Sequence, residues 1–420
     1  MKVLWLCNQM LPIIARQLGL SESNKEGWLN GIVSEFQKNE TTYELKILFP
    51  YMQKIEGTVG NIQYESFLED VRTPEKEDDR TYSDLIQILT DDVPDIIHCF
   101  GTEYAHTMLL CKAAKEVGCL QNVLVGIQGV MSACAERYTA DLSQKIVNRR
   151  TLRDFLRKDS IKEQQDKFRK RAEFEAVTLS LAPNVTGRTD FDREVCLKAN
   201  PSVRYYKMNE TLRDCFYSEE NSNPQEYSVF LSQGDYPLKG AHFALEALSI
   251  VREKYPFAKL YIAGNNITAH KTWKEKLKTG SYGKYLNELI QHYHLENNVV
   301  FIGRCNAQQM KERYLQSEVF ICTSSVENSP NSIGEAMILS VPVVTSDVGG
   351  IRSIIEPDNE ALFYPWNKPD LLAEALCNVF EDREGTNARV KNAKKHAIKT
   401  HCRKDNFARL IEIYHSILEG

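Results

Sequence analysis

The sequence predicts an α/β protein of two doubly wound parallel-sheet domains facing a cleft. Three observations carry this reading. Short apolar runs alternate with helical patterns along the whole chain, the mark of parallel sheets. Most of those runs are apolar at nearly every position, which suits strands covered on both faces. The runs form two sets, one on each side of a polar stretch at 217–226, in a chain of 420 residues, too long for one ordinary core. The expected division is a first domain over 1–216, a linker over 217–226 and a second domain over 227–399.

In the first set, strands are predicted at 3–7, 45–49, 96–100, 123–128 and 178–182. The opening apolar run is short and meets Asn8-Gln9, so it reads as a buried strand rather than a signal peptide. It leads into Asn8-Gln-Met-Leu-Pro12, not a Gly-x-Gly-x-x-Gly turn, which argues against a nicotinamide-dependent dehydrogenase. Asp95-Ile-Ile-His98-Cys-Phe-Gly-Thr-Glu103 ends a strand in polar groups, with His106 on the next helix. His98 is either an assisting group at an acceptor or a buried, hydrogen-bonded histidine. Gln128 ends the next strand and cannot titrate. Asp190-Phe-Asp192 has a metal-binding look, but Thr189 or Asp190 beside it reads as a helix N-cap.

In the second set, strands are predicted at 229–232, 260–263, 299–302, 319–323 and 341–345. A long helical region is expected from about 391 to 418. The net charge of -5 excludes a general nucleic-acid binder. Eleven cysteines without a Cys-x-x-Cys pair read as reduced thiols, neither a metal site nor a disulfide framework. That points to the cytoplasm. No apolar run approaches a bilayer span. Residues 145–171 carry eleven Lys or Arg against four acidic residues, interspersed with Leu152, Phe155, Leu156, Ile161 and Phe168. This segment suits peripheral contact with an anionic membrane, or else a solvated helix pair.

The chemistry concentrates in two segments of the second set. In Glu327-Asn-Ser-Pro-Asn-Ser-Ile-Gly-Glu335, two carboxylates flank a predicted helix start, with Ser329 as N-cap and Pro330 at the first helical position. The amides of Asn331, Ser332 and Ile333 would then lack intrahelical partners and, with the helix dipole, make a phosphate site. A strand precedes this unit, and Val341-Pro-Val-Val with Gly349-Gly350 follows it. The second segment is Val229-Phe-Leu-Ser-Gln-Gly-Asp-Tyr-Pro-Leu-Lys-Gly240. There Lys239 opens a helix within reach of a diphosphate, and Gly240 permits close backbone approach.

Together these segments resemble the donor-binding signature of the retaining glycosyltransferases of family 4, which have the GT-B fold of two Rossmann-like domains. The resemblance implies that Glu327 faces the donor sugar and Glu335 the ribose of the nucleotide. It implies that Lys239 and the amides near Ser332 and Ile333 hold the diphosphate without a metal. It also implies that a terminal helix at about 400–418 crosses back to the first domain, that Gly27 lies over phosphate and acceptor, and that Arg188 faces the cleft. The chain departs from the family pattern at three places. Gly234 stands where an Arg is usual, with Arg304 one candidate to replace the charge. Ser353 stands where a Glu is usual, and Gln128 where many members carry His.

The Gln-Gly-x-x-Ser and Tyr-Pro-x-Lys-Gly patterns resemble bacterial capsule, exopolysaccharide and lipopolysaccharide enzymes. The expectation is a cytoplasmic, metal-independent retaining enzyme without a cofactor. It would move a hexose-type residue from a UDP- or GDP-sugar to a hydroxyl of a glycan or lipid-linked glycan. A noncatalytic nucleotide-sugar binder and a GT-B nucleotide-sugar epimerase are the alternatives.

Overall fold

The computed structural model describes residues 1–21, 28–38, 42–218, 223–268, 272 and 277–420. Gly27 lies outside the described residues. By its internal contacts the chain divides into two compact units. One comprises Met1–Ser132, Arg169–Asp214 and Thr400–Gly420; the other comprises Ala133–Phe168 and Cys215–Lys399. Residues 133–168, read from sequence as part of the first domain, thus pack with the second sheet.

Among the described residues the first unit holds eight strands: β1 (Lys2–Leu6), β2 (Glu44–Tyr51), β3 (Glu56–Val59), β4 (Ile62–Leu68), β5 (Ile96–Phe100), β6 (Val123–Gly126), β7 (Asn184–Gly187) and β8 (Arg204–Lys207). Their order is β3-β4-β2-β1-β5-β6-β7-β8. All pairs are parallel except the β3–β4 hairpin, which turns through Gly60 at φ 61°. The central strands are buried at nearly every residue, as the continuous apolar runs require.

The strand expected at 178–182 is instead the end of the helix Ile161–Leu181, and β7 follows at 184. The alternation in Thr178-Leu-Ser-Leu-Ala182 is too short to separate a strand from a helix end. The terminal helical region is also not continuous. Arg383–Thr400 and Arg403–Leu418 are separate helices. At the break, His401 Nδ1 lies 2.7 Å from the carbonyl of Glu210, and Asn406 donates to the carbonyl of Thr400 at 3.0 Å. The last helix packs on the first sheet, where Trp5 Nε1 donates to Tyr414 Oη at 3.0 Å.

The second unit holds β9 (Gln225–Leu231), β10 (Lys259–Ala263), β11 (Val299–Gly303), β12 (Ser317–Cys322), β13 (Val343–Ser346) and β14 (Leu362–Tyr364). All are parallel, in the order β11-β10-β9-β12-β13-β14. Counted within the unit this is 3-2-1-4-5-6, the doubly wound order whose direction reverses between its first and fourth strands. The reversal opens a crevice past the carboxyl ends of β9 and β12. Lys239 follows β9, and Glu327 follows β12.

Candidate functional site

The crevice is built by two loops stapled together. After β9, Pro237–Lys239 forms one turn and Gly240 adopts φ 67°. A Cβ on Gly240 would lie 1.9 Å from the Thr323 carbonyl oxygen, so only glycine lets the two loops approach this closely. Thr323 Oγ1 donates to the Lys239 carbonyl at 2.7 Å, and the Ser325 amide donates to the Leu238 carbonyl at 2.9 Å. The loop after β13 joins from the other side. The Gly350 amide donates to the Glu327 carbonyl at 3.0 Å, and Ser346 Oγ donates to the Ser324 carbonyl at 2.7 Å. Gly349, at φ 52°, makes that turn.

Within this frame the Lys239 ammonium donates to Glu327 Oε1, and Ser324 Oγ donates to the same oxygen at 2.6 Å. Burial alone would lower the Lys239 pKa. The Glu327 carboxylate outweighs burial, so the net shift is upward and the ammonium stays charged. Glu327 Oε1 is held twice, whereas Oε2 forms no hydrogen bond among the described residues. Ser324 carries no motif of its own, and sequence reasoning passed over it. Its only signal was its place directly after a buried strand.

The helix Asn331–Ile338 starts one residue later than expected. Pro330 is the N-cap, in extended conformation, and its own side chain makes no capping hydrogen bond. Ser329 therefore lies outside the helix. The Ile333 amide is not available as expected, because it donates to the Pro330 carbonyl at 3.1 Å, tightening the first turn. Asn331 and Ser332 head the helix. Glu335 is on the same helix, 6% exposed.

Gly234 has a steric reason to lack a side chain. A Cβ there would come within 2.5 Å of Ile262 Cγ2 and 3.2 Å of Ala241 Cβ. Arg304, after β11, is exposed and donates to Asn265 Oδ1 at 2.7 Å, while Asn265 Nδ2 donates to Asp235 at 2.6 Å. It thus stands at the carboxyl edge of the sheet, tied to the loop after β10 rather than to the Lys239–Glu327 pair.

The first unit gathers its polar residues in two places. Gln128 Nε2 donates to Glu210 Oε1 and Arg188 to Glu210 Oε2, each at 3.1 Å, making one buried cluster past β6 and β7. Asp192 serves the Thr189 N-cap in a capping box, which fits the cap reading of Asp190-Phe-Asp192. The second place is a cavity of about 440 Å³ past the ends of β1, β2 and β4. Its polar wall is a chain of contacts. His106 Nδ1 meets Glu69 at 3.0 Å, His106 Nε2 meets Asn8 Oδ1 at 2.9 Å, and Asn8 Nδ2 donates to Glu103 at 2.8 Å. Glu69 was not found from sequence because β4, which ends beside it, was not predicted.

His98 belongs to neither place. It is fully buried in β5, with Nδ1 2.8 Å from Tyr414 Oη, and burial pushes its pKa down to about 3. It is a neutral core histidine under the terminal helix, so the catalytic alternative for it is set aside.

The architecture and the two stapled loops define a class: a GT-B protein of two Rossmann-like parallel-sheet domains. Residues 216–396 match the family model described as Glycosyl transferases group 1. Over the whole chain the fold is similar to a sucrose-phosphate synthase from Thermosynechococcus elongatus, with TM-score 0.69, 14% identity and coverage of 100% of this chain and 99% of that one. It is also similar to Anabaena Alr3699/HepE in complex with UDP-glucose, with TM-score 0.68, 15% identity and coverage of 99% and 100%.

Among curated relatives, YtcC of Bacillus subtilis (strain 168), named as a glycosyltransferase, is 28% identical over 188 residues, 43% of each chain. The sulfoquinovosyl transferase SQD2 of Arabidopsis thaliana is 30% identical over 181 residues, 39% of this chain and 32% of its own. The matched regions thus span less than half the length of these curated relatives.

Proposed function

We propose that the protein is a glycosyltransferase that takes a nucleotide-sugar in the crevice past β9 and β12 and passes its sugar to a hydroxyl of a glycan. The observation that carries this is the Lys239–Glu327 pair at the reversal point of the second sheet, beside the start of the helix Asn331–Ile338. A diphosphate there meets the Lys239 ammonium and the amides of Asn331 and Ser332. Departure of the nucleotide builds negative charge on the diphosphate, and preorganised donors stabilise it as it forms. Glu327 Oε2 accepts a hydroxyl of the donor sugar, and Glu335 the ribose hydroxyls. These donors do by hydrogen bond and charge what a metal would otherwise do.

The transfer is retaining in this reading. The departing phosphate takes the acceptor proton on the same face, a route that asks for no separate general base. UDP is the favoured nucleotide because the similar Anabaena structure was solved with UDP-glucose; GDP is the alternative. The acceptor is a growing surface glycan, free or lipid-linked. Leu152, Phe155 and Leu156 are 56%, 61% and 70% exposed, while Asp154 between them is buried and accepts from the Ser281 amide at 3.0 Å. The helix Leu152–Arg157 thus turns its apolar residues outward, among Arg157, Lys158 and Lys162, which supports docking on an anionic bilayer from the cytoplasmic side.

The test is a thermal-shift panel of nucleotide-sugars followed by a transfer assay on the variants. A ligand that binds only the folded form raises the melting temperature. Glu335→Ala is expected to weaken UDP binding about tenfold or more, and Glu327→Ala to spare it while reducing transfer about 100-fold. Equal UDP affinity in both variants contradicts the assigned roles. Binding without turnover on any acceptor would instead favour a noncatalytic member, a reading that the sealed Gly234 position also suits. An altered sugar nucleotide formed without acceptor would indicate an epimerase.

A further inference from the structure

We infer that the Tyr236 hydroxyl is a further donor of the site in the second unit, bonding the sugar-side phosphate of the nucleotide-sugar. This deepens the transferase reading above and rests on its placing of a diphosphate at Lys239.

Tyr236 sits in the loop after β9 as the N-cap of the turn Pro237–Lys239, in extended conformation. The turn closes tightly. The Lys239 amide donates to the Tyr236 carbonyl at 3.2 Å, and the Gly240 amide to the Pro237 carbonyl at 2.8 Å. In such a turn, residues three apart lie on one side. The Tyr236 ring therefore stands beside the Lys239 side chain, and so beside Glu327, to which the ammonium donates. Burial pushes the pKa of its phenol up to about 12, with Lys239 acting to lower it and Glu327 to raise it, so both charges reach it. The hydroxyl keeps its proton at neutral pH and can donate it to a hydrogen bond.

The ring is anchored by residues 133–168, which belong to the same unit. It stacks on Tyr138, with centroids 6.4 Å and planes 11° apart, and Tyr138 in turn meets Phe168 at 5.1 Å. Next to Tyr138, the Arg137 carbonyl accepts from Ser325 Oγ at 3.0 Å, which ties this segment to the loop after β12. The hydroxyl itself makes no hydrogen bond among the described residues. A fixed ring with a proton to give is a preorganised donor.

What it donates to follows from its neighbours. Lys239 and Glu327 carry opposite charges, so their pair alone does not offset a diphosphate. A neutral O–H bonds an anionic oxygen without a charge of its own to bury, and bonds to ionised groups are the stronger ones. Gly234, earlier in the same loop, cannot share the task, since a Cβ there would lie 2.5 Å from Ile262 Cγ2. With Glu327 at the sugar and Glu335 at the ribose, a group beside Glu327 faces the phosphate next to the sugar. That phosphate takes up the charge that builds as the sugar leaves.

The experiment compares the full chain with Tyr236→Phe, which keeps the ring and its stack. UDP binding is read by titration calorimetry and UMP binding by ligand-observed NMR (GDP and GMP if the guanine nucleotide binds instead). The variant is expected to bind UDP about tenfold more weakly and UMP, which lacks the second phosphate, as before, at an unchanged melting temperature. Equal UDP affinity overturns the inference and leaves the donor reading standing. So does an equal loss for UDP and UMP, the mark of a disturbed loop. If the unaltered protein binds neither UDP nor GDP, the donor reading falls and takes the inference with it.

Discussion

Single atoms decide much of this site. Gly240 is the clearest case, because the clash a Cβ would meet is with backbone that cannot swing away. Gly240→Ala is expected to lower stability by about 2 kcal/mol or more and to displace Lys239, read by urea unfolding and by loss of UDP binding. His98 gives a prediction of the opposite kind, for stability rather than binding. Its pKa is about 3 in the folded chain, against an ordinary 6.5. As pH falls below 6.5 the unfolded chain takes up a proton that the folded chain refuses until about pH 3. Its contribution is therefore fully present above 6.5 and is lost at about 1.4 kcal/mol per pH unit as pH drops through that window. His98→Gln is expected to flatten this slope between pH 6.5 and 4 in chemical unfolding series. An unchanged slope would show that His98 already titrates in the folded protein.

At the scale of elements, the central parallel strands were legible because burial on both faces leaves a continuous apolar run, whereas the short parallel strands β7, β8 and β14 at the far sides of the two sheets were not. The β3–β4 hairpin was not, because only four of its eleven residues are buried and no continuous apolar run results. The missed hairpin had a consequence for the site: it hid Glu69, and with it the polar wall of the cavity. The helix start at Pro330 was legible to within one residue. The first-turn contact that occupies the Ile333 amide was not, since the sequence does not say whether a first turn tightens. The helix Leu152–Arg157 inverts the usual rule, with its acid inward and its apolar residues outward. Replacing Leu152, Phe155 and Leu156 together by Ser is expected to leave the melting temperature within a few degrees. The same change should abolish sedimentation with vesicles containing phosphatidylglycerol. Equal sedimentation of both proteins would remove the membrane proposal.

On the scale of the whole molecule, the chain repeats one plan twice. Each sheet reverses its strand order once, and each reversal collects polar side chains at the carboxyl ends of its strands. In the second unit the collection is a charge pair beside a helix start; in the first it is the hydrogen-bonded group of Glu69, His106, Asn8 and Glu103. The most direct measurement is a crystal structure of the protein with UDP. The account predicts the diphosphate within hydrogen-bond distance of the Lys239 ammonium and the Ser332 amide, with the ribose at Glu335. UDP bound elsewhere, or excluded because Lys239 and Glu327 stay closed on one another, would contradict it.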